Sequence, residues 1–223
     1  MIRRTLSPRQ PQLRALLMCN GEHPSRALVH RLARKAHVIV AADGGANGAR
    51  TLGITPDLII GDLDSITPGT RKFFSSTAVI RVQRQDNTDM EKALDYILAE
   101  SLAREVMIIG ATGKRIDHTL GNLVVLSGYA RRIRVIACGD GWHAFPVTQT
   151  EQIHASVGTT LSLIPFDDCH GLTLKGLKYP LRNASLRAGK IAVSNVVRRS
   201  PCSVSLRDGK LLAVVLEEFT PRW

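Results

Sequence analysis

Residues 43–65 read DGGANGARTLGITPDLIIGDLDS, and this stretch limits what the chain can become more than any other. Asp43 follows the apolar run HVIVAA, and Asp62 and Asp64 follow a second run, DLII. Each run is short, rich in β-branched residues and followed by glycine, the pattern of a buried parallel strand giving way to its loop. Carboxylates at the exits of neighbouring strands fall on the carboxyl edge of the sheet, where open α/β folds bind ligands. Three acids gathered there repel one another unless a cation sits between them. Hard oxygen donors with room left for water and phosphate suit Mg²⁺. The stretch therefore implies a metal–phosphate site built on Asp43, Asp62 and Asp64.

The remaining composition narrows the function classes. A chain of 223 residues holds one large domain or two small ones. No apolar run approaches the roughly 18 residues of a membrane span, so a membrane partner is not expected. The formal net charge of +11 invites a nucleic-acid reading. The basic residues are scattered as singles and pairs, such as Arg131-Arg132 and Arg198-Arg199, with few aromatics beside them for base stacking. A surface that attracts polyphosphate anions explains the charge as well, and nucleic acid is not the expected partner. Cys19, Cys138, Cys169 and Cys202 are far apart and form no C-x-x-C pair, which argues against a disulfide scaffold or zinc ribbon and for a reducing, cytoplasmic setting. The opening MIRRTLSPRQPQLR has the arginine-rich, acid-free composition of transit peptides but no apolar helical face, and residues 1–12 read as a disordered tail.

From residue 13 to about 145, strand-like and helix-like segments alternate. Strands are predicted at 15–19, 37–42, 57–60, 78–82, 106–109 and 133–138. Helices are predicted at 24–36, 46–52, 68–75, 88–103 and 118–130. This alternation implies βαβ units and a Rossmann-like parallel sheet. The clearest helix is TDMEKALDYILAESLA, with Met90, Ala93, Leu94, Ile97 and Leu98 on one face and Thr88 with Glu91 as a capping box. After Phe145-Pro146 short Leu-, Val-, Ile- and Thr-rich segments alternate with turn signals and no convincing helix appears. Residues 147–223 read as a smaller all-β sandwich domain. Within it, SVSLRDGKLLAVVLEE reads as a hairpin about its Asp-Gly turn.

Two further loops carry chemistry. Asp86-Asn87-Thr88-Asp89 opens the long helix, and Asp89 is both a favourable first-turn acid and a candidate metal ligand on the same sheet edge. GATGKRIDH, from Gly110 to His118, follows the fifth strand. Its glycines expose backbone N–H groups at a helix start, where a phosphate can rest. Arg115 can clamp phosphate bidentately, and Asp117 can serve as a helix N-cap. The loop is not a Walker A sequence, because only two residues part its glycines and Lys114 is followed by arginine. There is no G-x-S-x-G elbow, so a serine hydrolase is not expected.

As a set, AADGGAN (41–47), PDLIIGDLDS (56–65), DNTDMEKAL (86–94), GATGKRIDHTLGNL (110–123), GLKYPL (176–181) and VSN (193–195) closely resemble the thiamine pyrophosphokinase family, in the family's order. The resemblance implies an α/β nucleotide-binding domain followed by a β-sandwich, acting as a homodimer with thiamine bound between subunits. It implies transfer of the terminal pyrophosphate of Mg·ATP to the thiamine hydroxyl, giving thiamine diphosphate and AMP. Carried onto this chain, it makes Asp62, Asp64 and Asp89 magnesium ligands with Asp43 close by. Gly44, Asn47, Thr88, Arg115 and Asp117 become nucleotide and phosphate contacts, and Ser194 and Asn195 thiamine contacts. Asp64, Asp89 and Arg115 are the candidate catalytic groups, with either carboxylate able to orient the alcohol. The family usually has an acid after Ser-Asn, whereas this chain has Val196.

Other readings remain at this level. The acceptor can be another hydroxymethyl heterocycle such as a pterin. Asp62-x-Asp64 can be the Mg²⁺–nucleotide-sugar clamp of a glycosyltransferase, which leaves the 110–117 loop without a role. The protein can also be a non-catalytic nucleotide sensor.

Overall fold

A computed structural model describes residues 13–83, 86–190 and 192–221. The expected tail at 1–12 lies outside them. The first half builds β1 (Arg14–Met18), α1 (Arg26–Ala33), β2 (Val38–Ala42), α2 (Gly45–Leu52), β3 (Leu58–Gly61), α3 (Pro68–Phe73), β4 (Ala78–Arg81), α4 (Asp89–Ala99), β5 (Glu105–Ile109), α5 (Ile116–Tyr129) and β6 (Arg134–Gly139). Every expected strand and helix of this half is present, with ends trimmed, shifted or extended by up to four residues. The capping box is also present. Thr88 Oγ1 accepts from the Glu91 N–H, and the Glu91 carboxylate accepts from the Thr88 N–H at 2.8 Å.

These six strands are parallel and stand in the order β4-β3-β2-β1-β5-β6. Alternation along β1 shows why the sheet is covered on both faces. Ala15 and Leu17 pack with Met90, Leu94 and Ile97 of α4, whereas Leu16 and Met18 pack with Leu28 and Leu32 of α1 and Ala46 and Ala49 of α2. The chain works outward from β1 to β4 and then returns to the other side of β1 as β5. The loops after β1 and β5 therefore diverge, opening a crevice at the carboxyl edge.

The second half adds β7 (Trp142–Val147), β8 (Thr150–Ile153), β9 (Thr160–Pro165), β10 (Cys169–Lys175), β11 (Leu181–Leu186), β12 (Ala192–Val196), β13 (Cys202–Ser205) and β14 (Leu211–Val215). Four of them extend the large sheet antiparallel beyond β6, in the order β6-β7-β14-β9-β12. The other four form a separate antiparallel sheet, β11-β10-β13-β8. The architecture is a large, parallel-rich sheet with helices, followed by a smaller antiparallel sheet. Its core continues from Leu16 and Met107 to Leu163, Val204 and Val215.

The Asp-Gly hairpin expected at residues 203–218 does not form. β13 pairs with β8 and β10 in the small sheet, whereas β14 pairs with β7 and β9 in the large one. Burial explains this outcome. Cys202 to Val204 and Leu211 to Ala213 are all buried, and each strand buries itself in a different sheet across the shared core. The turn instead joins the two sheets, and Asp208 forms a bridge with His170.

Candidate active site

All the acids singled out from the sequence lie at one edge, because parallel strands point their exits the same way. Asp43 leaves β2, Asp62 and Asp64 leave β3, and Asp89 opens α4 just past β4. Asp43, Asp62 and Asp64 can each offer one oxygen so that all three oxygens lie within 4.8 Å of one another. Asp89 stands beside them: a side chain at Gly61 would place its Cβ 2.7 Å from Asp43 Cβ and 3.3 Å from Asp89 Oδ1. Glycine at 61 is what lets the β3 exit pass between the two acids.

The cluster is held by short polar contacts. Asp43 Oδ2 accepts from the Ser65 N–H at 3.2 Å, and Asp64 Oδ1 accepts from Ser65 Oγ at 2.9 Å. Asn47 donates to the Ser65 carbonyl at 2.8 Å and accepts from the Thr67 N–H at 3.1 Å, pinning the acidic loop against α2. This occupies the Asn47 amide in positioning the loop. Gly44 caps α2, and any side chain there would strike the Asn20 amide. Asp43 Oδ1 is buried and has no hydrogen-bond partner. Burial first, and the Asp89 charge second, push the Asp43 pKa up. A buried carboxylate oxygen without a donor, beside two more carboxylates, suits a hard divalent cation.

One residue that the sequence reading passed over completes the cluster. Lys92, buried near the start of α4, donates to Asp89 Oδ1 at 2.8 Å and to Asp62 Oδ2 at 3.0 Å. Its side chain is only 3% exposed. Burial opposes the lysine's charge, yet the bonds to Asp89 and then Asp62 outweigh it and raise the pKa. In return, the bond from Lys92 holds Asp62 below the usual aspartate value. Lysine three residues after Asp89 was a visible signal, but the partner at Asp62 was not.

The acids open into a cleft of about 360 Å³ whose far wall is the loop after β5. Gly110 (φ 68°) passes so close to β1 that a Cβ there would sit 2.4 Å from the Cys19 carbonyl oxygen. The Asn122 amide donates to the Ala111 carbonyl and the Gly113 N–H to Thr119 Oγ1, tying the loop to α5. Lys114 donates to the Asn20 carbonyl at 2.8 Å. Arg115, not Asp117, is the N-cap of α5; Asp117 lies inside the first turn because the backbone turns helical at Ile116. Asp117 pairs bidentately with Arg115, which holds its pKa down to about 2. The guanidinium keeps further N–H donors for a ligand. Thr88, Asn87 and His118 also line the cleft, and Asn87 Oδ1 is buried without a partner. Cys19 is no nucleophile, since burial and then Asp89 push its thiol up to about 12. Positive φ at Asp43, Leu63 and Lys114, none of them glycine, places unusual backbone in three of the cleft's loops.

Comparison with known proteins identifies the family. Residues 29–137 match the model of the thiamin pyrophosphokinase catalytic domain, and residues 143–211 match that of the thiamin pyrophosphokinase vitamin B1 binding domain. Thiamine pyrophosphokinase 3 of Oryza sativa subsp. japonica is 33% identical over 86% of this chain and 82% of its own length. Thiamine pyrophosphokinase of Bacillus subtilis is 32% identical over 78% of this chain and 85% of its own length. The chain belongs to the thiamine pyrophosphokinase family. The crystal structure of the Bacillus subtilis thiamine pyrophosphokinase superposes with a TM-score of 0.80 at 27% identity, covering 92% of this chain and all of that one.

Measured against that family, two residues lie apart from the cleft. Ser194 and Asn195 are on β12, at the opposite end of the large sheet from β4. Five strand spacings separate β12 from β5, roughly 24 Å across the sheet. Ser194 is exposed at φ 61°. Asn195 is buried, and its amide holds Tyr179 through both ends: Oδ1 accepts from the Tyr179 N–H at 3.0 Å and Nδ2 donates to its carbonyl at 2.9 Å. Within one chain the structure does not bring either residue to the acids.

Proposed function

We propose that this enzyme transfers the terminal pyrophosphoryl group of Mg·ATP to the hydroxyl of thiamine, giving thiamine diphosphate and AMP. The observation that carries the reading is the three-carboxylate cluster with its unpartnered Asp43 oxygen, facing a glycine-rich loop across one cleft, in a chain of this family. Asp43, Asp62 and Asp64 would hold magnesium, with Asp89 adjoining. When bound, the ion would neutralise phosphate charge and orient the phosphate chain.

The chain's own groups supply the rest. Pyrophosphoryl transfer asks mainly for positioning and charge stabilisation. Arg115, steered by Asp117, offers guanidinium donors to the phosphates. Thr88, Asn87 and the 110–114 backbone line the wall along which the nucleotide would lie, and the Gly44–Asn47 turn supports the acids. Asp64 and Asp89 each keep one oxygen outside their bond to Ser65 or Lys92, and either can orient the acceptor hydroxyl.

The proposed assembly is a homodimer in which the sandwich of one subunit, residues 147–223, completes the cleft formed by residues 13–145 of the other. Two features support it. Ser194 is too far from its own cleft to serve it. In addition, Ile116, Leu120 and Val124 lie exposed at four-residue spacing along α5, which starts at the cleft. No described helix is long and apolar enough to cross a membrane. A cytoplasmic setting and the absence of a nucleic-acid partner remain part of the proposal.

The test is AMP formation from ATP and Mg²⁺ with and without thiamine. Thiamine-dependent AMP with thiamine diphosphate as co-product is expected. AMP that appears only with a pterin or another alcohol would replace the substrate, and Mg·ATP binding without AMP from any acceptor would make the protein a sensor.

A further inference from the structure

Lys92 lies near the start of α4, whose Met90, Ala93 and Leu94 enter the core, and although a lysine it is almost wholly buried. A charge in that position persists only when paired. Its partners come from two different places: Asp89 from the first turn of its own helix, and Asp62 from the β3 exit thirty residues earlier. Asp62 belongs in turn to the three-acid group. The ammonium is thus a fixed link between the loop that carries Asp62 and Asp64 and the helix that carries Asp89. It also adds a positive charge to four clustered carboxylates that must admit a polyphosphate.

We infer that Lys92 is a positioning residue for the acid cluster: it locks Asp62 and Asp89 in register with each other and offsets their charge before metal and nucleotide arrive. The inference rests on the proposed reading of this cleft. A helix-surface lysine paired with an i,i+3 acid would do neither, since such a pair is solvent-screened and contributes little. Burial and the second, distant carboxylate separate Lys92 from that case.

The experiment compares Lys92→Met and Lys92→Arg with the parent protein by melting temperature, Mn²⁺ binding to the nucleotide-free protein (by its paramagnetic resonance signal) and steady-state kcat and KM. Lys92→Met removes a positive charge beside the acids, so Mn²⁺ binding should be at least as tight as in the parent. Its kcat should nonetheless fall about 100-fold, the scale of a roughly 1 Å misplacement in an active site. Lys92→Arg keeps the charge and should regain about tenfold of that loss and most of the KM for Mg·ATP. A folded Lys92→Met protein within about threefold of parental kcat overturns the inference. So does an arginine variant no better than methionine, or loss of Mn²⁺ binding. If Lys92→Met does not fold, Lys92→Gln is read by the same three measures. If neither folds, Lys92 is a folding residue and the inference fails. Parent protein that makes thiamine-dependent AMP alongside an equally active Lys92→Met protein refutes the lysine's role alone. Parent protein that makes none refutes the proposed reaction instead.

Discussion

α4 and α5 lie on the same face of the sheet and both begin at the cleft, yet they are finished in opposite ways. α4 closes itself. Thr88 and Glu91 satisfy its first turn, Met90, Ala93, Leu94 and Ile97 fill the core, and Lys92 ties its start to the acids. α5 begins at Arg115 with no side-chain cap, buries only Leu126 and Tyr129 fully, and leaves Ile116, Leu120 and Val124 in solvent. A helix whose apolar residues run around it is a buried helix, and α5 has that character without the cover. The difference teaches that the α4 side of the cleft is complete in one chain, whereas the α5 side leaves an apolar row exposed, which the proposed homodimer would cover.

The largest expected effect breaks the α4 side at its chemistry. Asp62→Asn or Asp89→Asn should lower kcat by about 10²–10³-fold, the scale of losing one electrostatic group at a transition state. The fold should survive, with a melting temperature within a few degrees of the parent; near-parental turnover in both variants would sink the proposed metal site. On the α5 side, Leu120→Lys should leave the fold nearly untouched, by about 0.5 kcal/mol or less for an exposed position. It should shift the species seen by light scattering from dimer to monomer and reduce thiamine-dependent turnover together with it. A Leu120→Lys protein that stays dimeric removes α5 from the interface.

Asp43, under the start of α4, sharpens the comparison through pH. Its raised pKa means that ionised Asp43 costs stability, so Asp43→Asn should melt higher than the parent at neutral pH while losing activity. The gain reflects the lost charge alone, because the asparagine amide still leaves one buried polar atom without a partner. The difference should vanish in acid below the ordinary aspartate pKa of about 3.9, where both states of the parent are protonated, and grow as pH rises through the raised folded value. Melting curves of the two proteins across pH read this directly, and a gap that widens toward acid would contradict it. The smallest effect is Thr88→Ala, which breaks the α4 capping box and should cost about 1 kcal/mol by chemical denaturation.

The two halves of the chain were legible to different degrees for a physical reason. Strands of a parallel sheet are buried on both faces and helices repeat every 3.6 residues, so the first half advertises its elements locally. In the second half, β13 and β14 look like any hairpin about Asp208-Gly209. Only the choice of sheet, made by burial against partners far along the chain, separates them. Asn47 and Asn195 show the same limit. Each sits in a motif that pointed to ligand, and each spends its amide holding a neighbouring loop.

By itself the sequence determined that strand exits would carry Asp43, Asp62, Asp64 and Asp89 to one edge. Exit direction follows from βαβ connectivity, and residue type is written in the chain. Tertiary structure alone decided three things. The turn back from β4 to β5 opened the cleft beside β1. The Asp62 carboxylate came to meet Lys92 across thirty residues. Ser194 was carried seven to eight strand spacings from the β2 and β3 exits that bear the acids it is proposed to help. Each depends on which strand lies beside which, a choice made by the competition among whole faces for burial, and no local pattern encodes that competition.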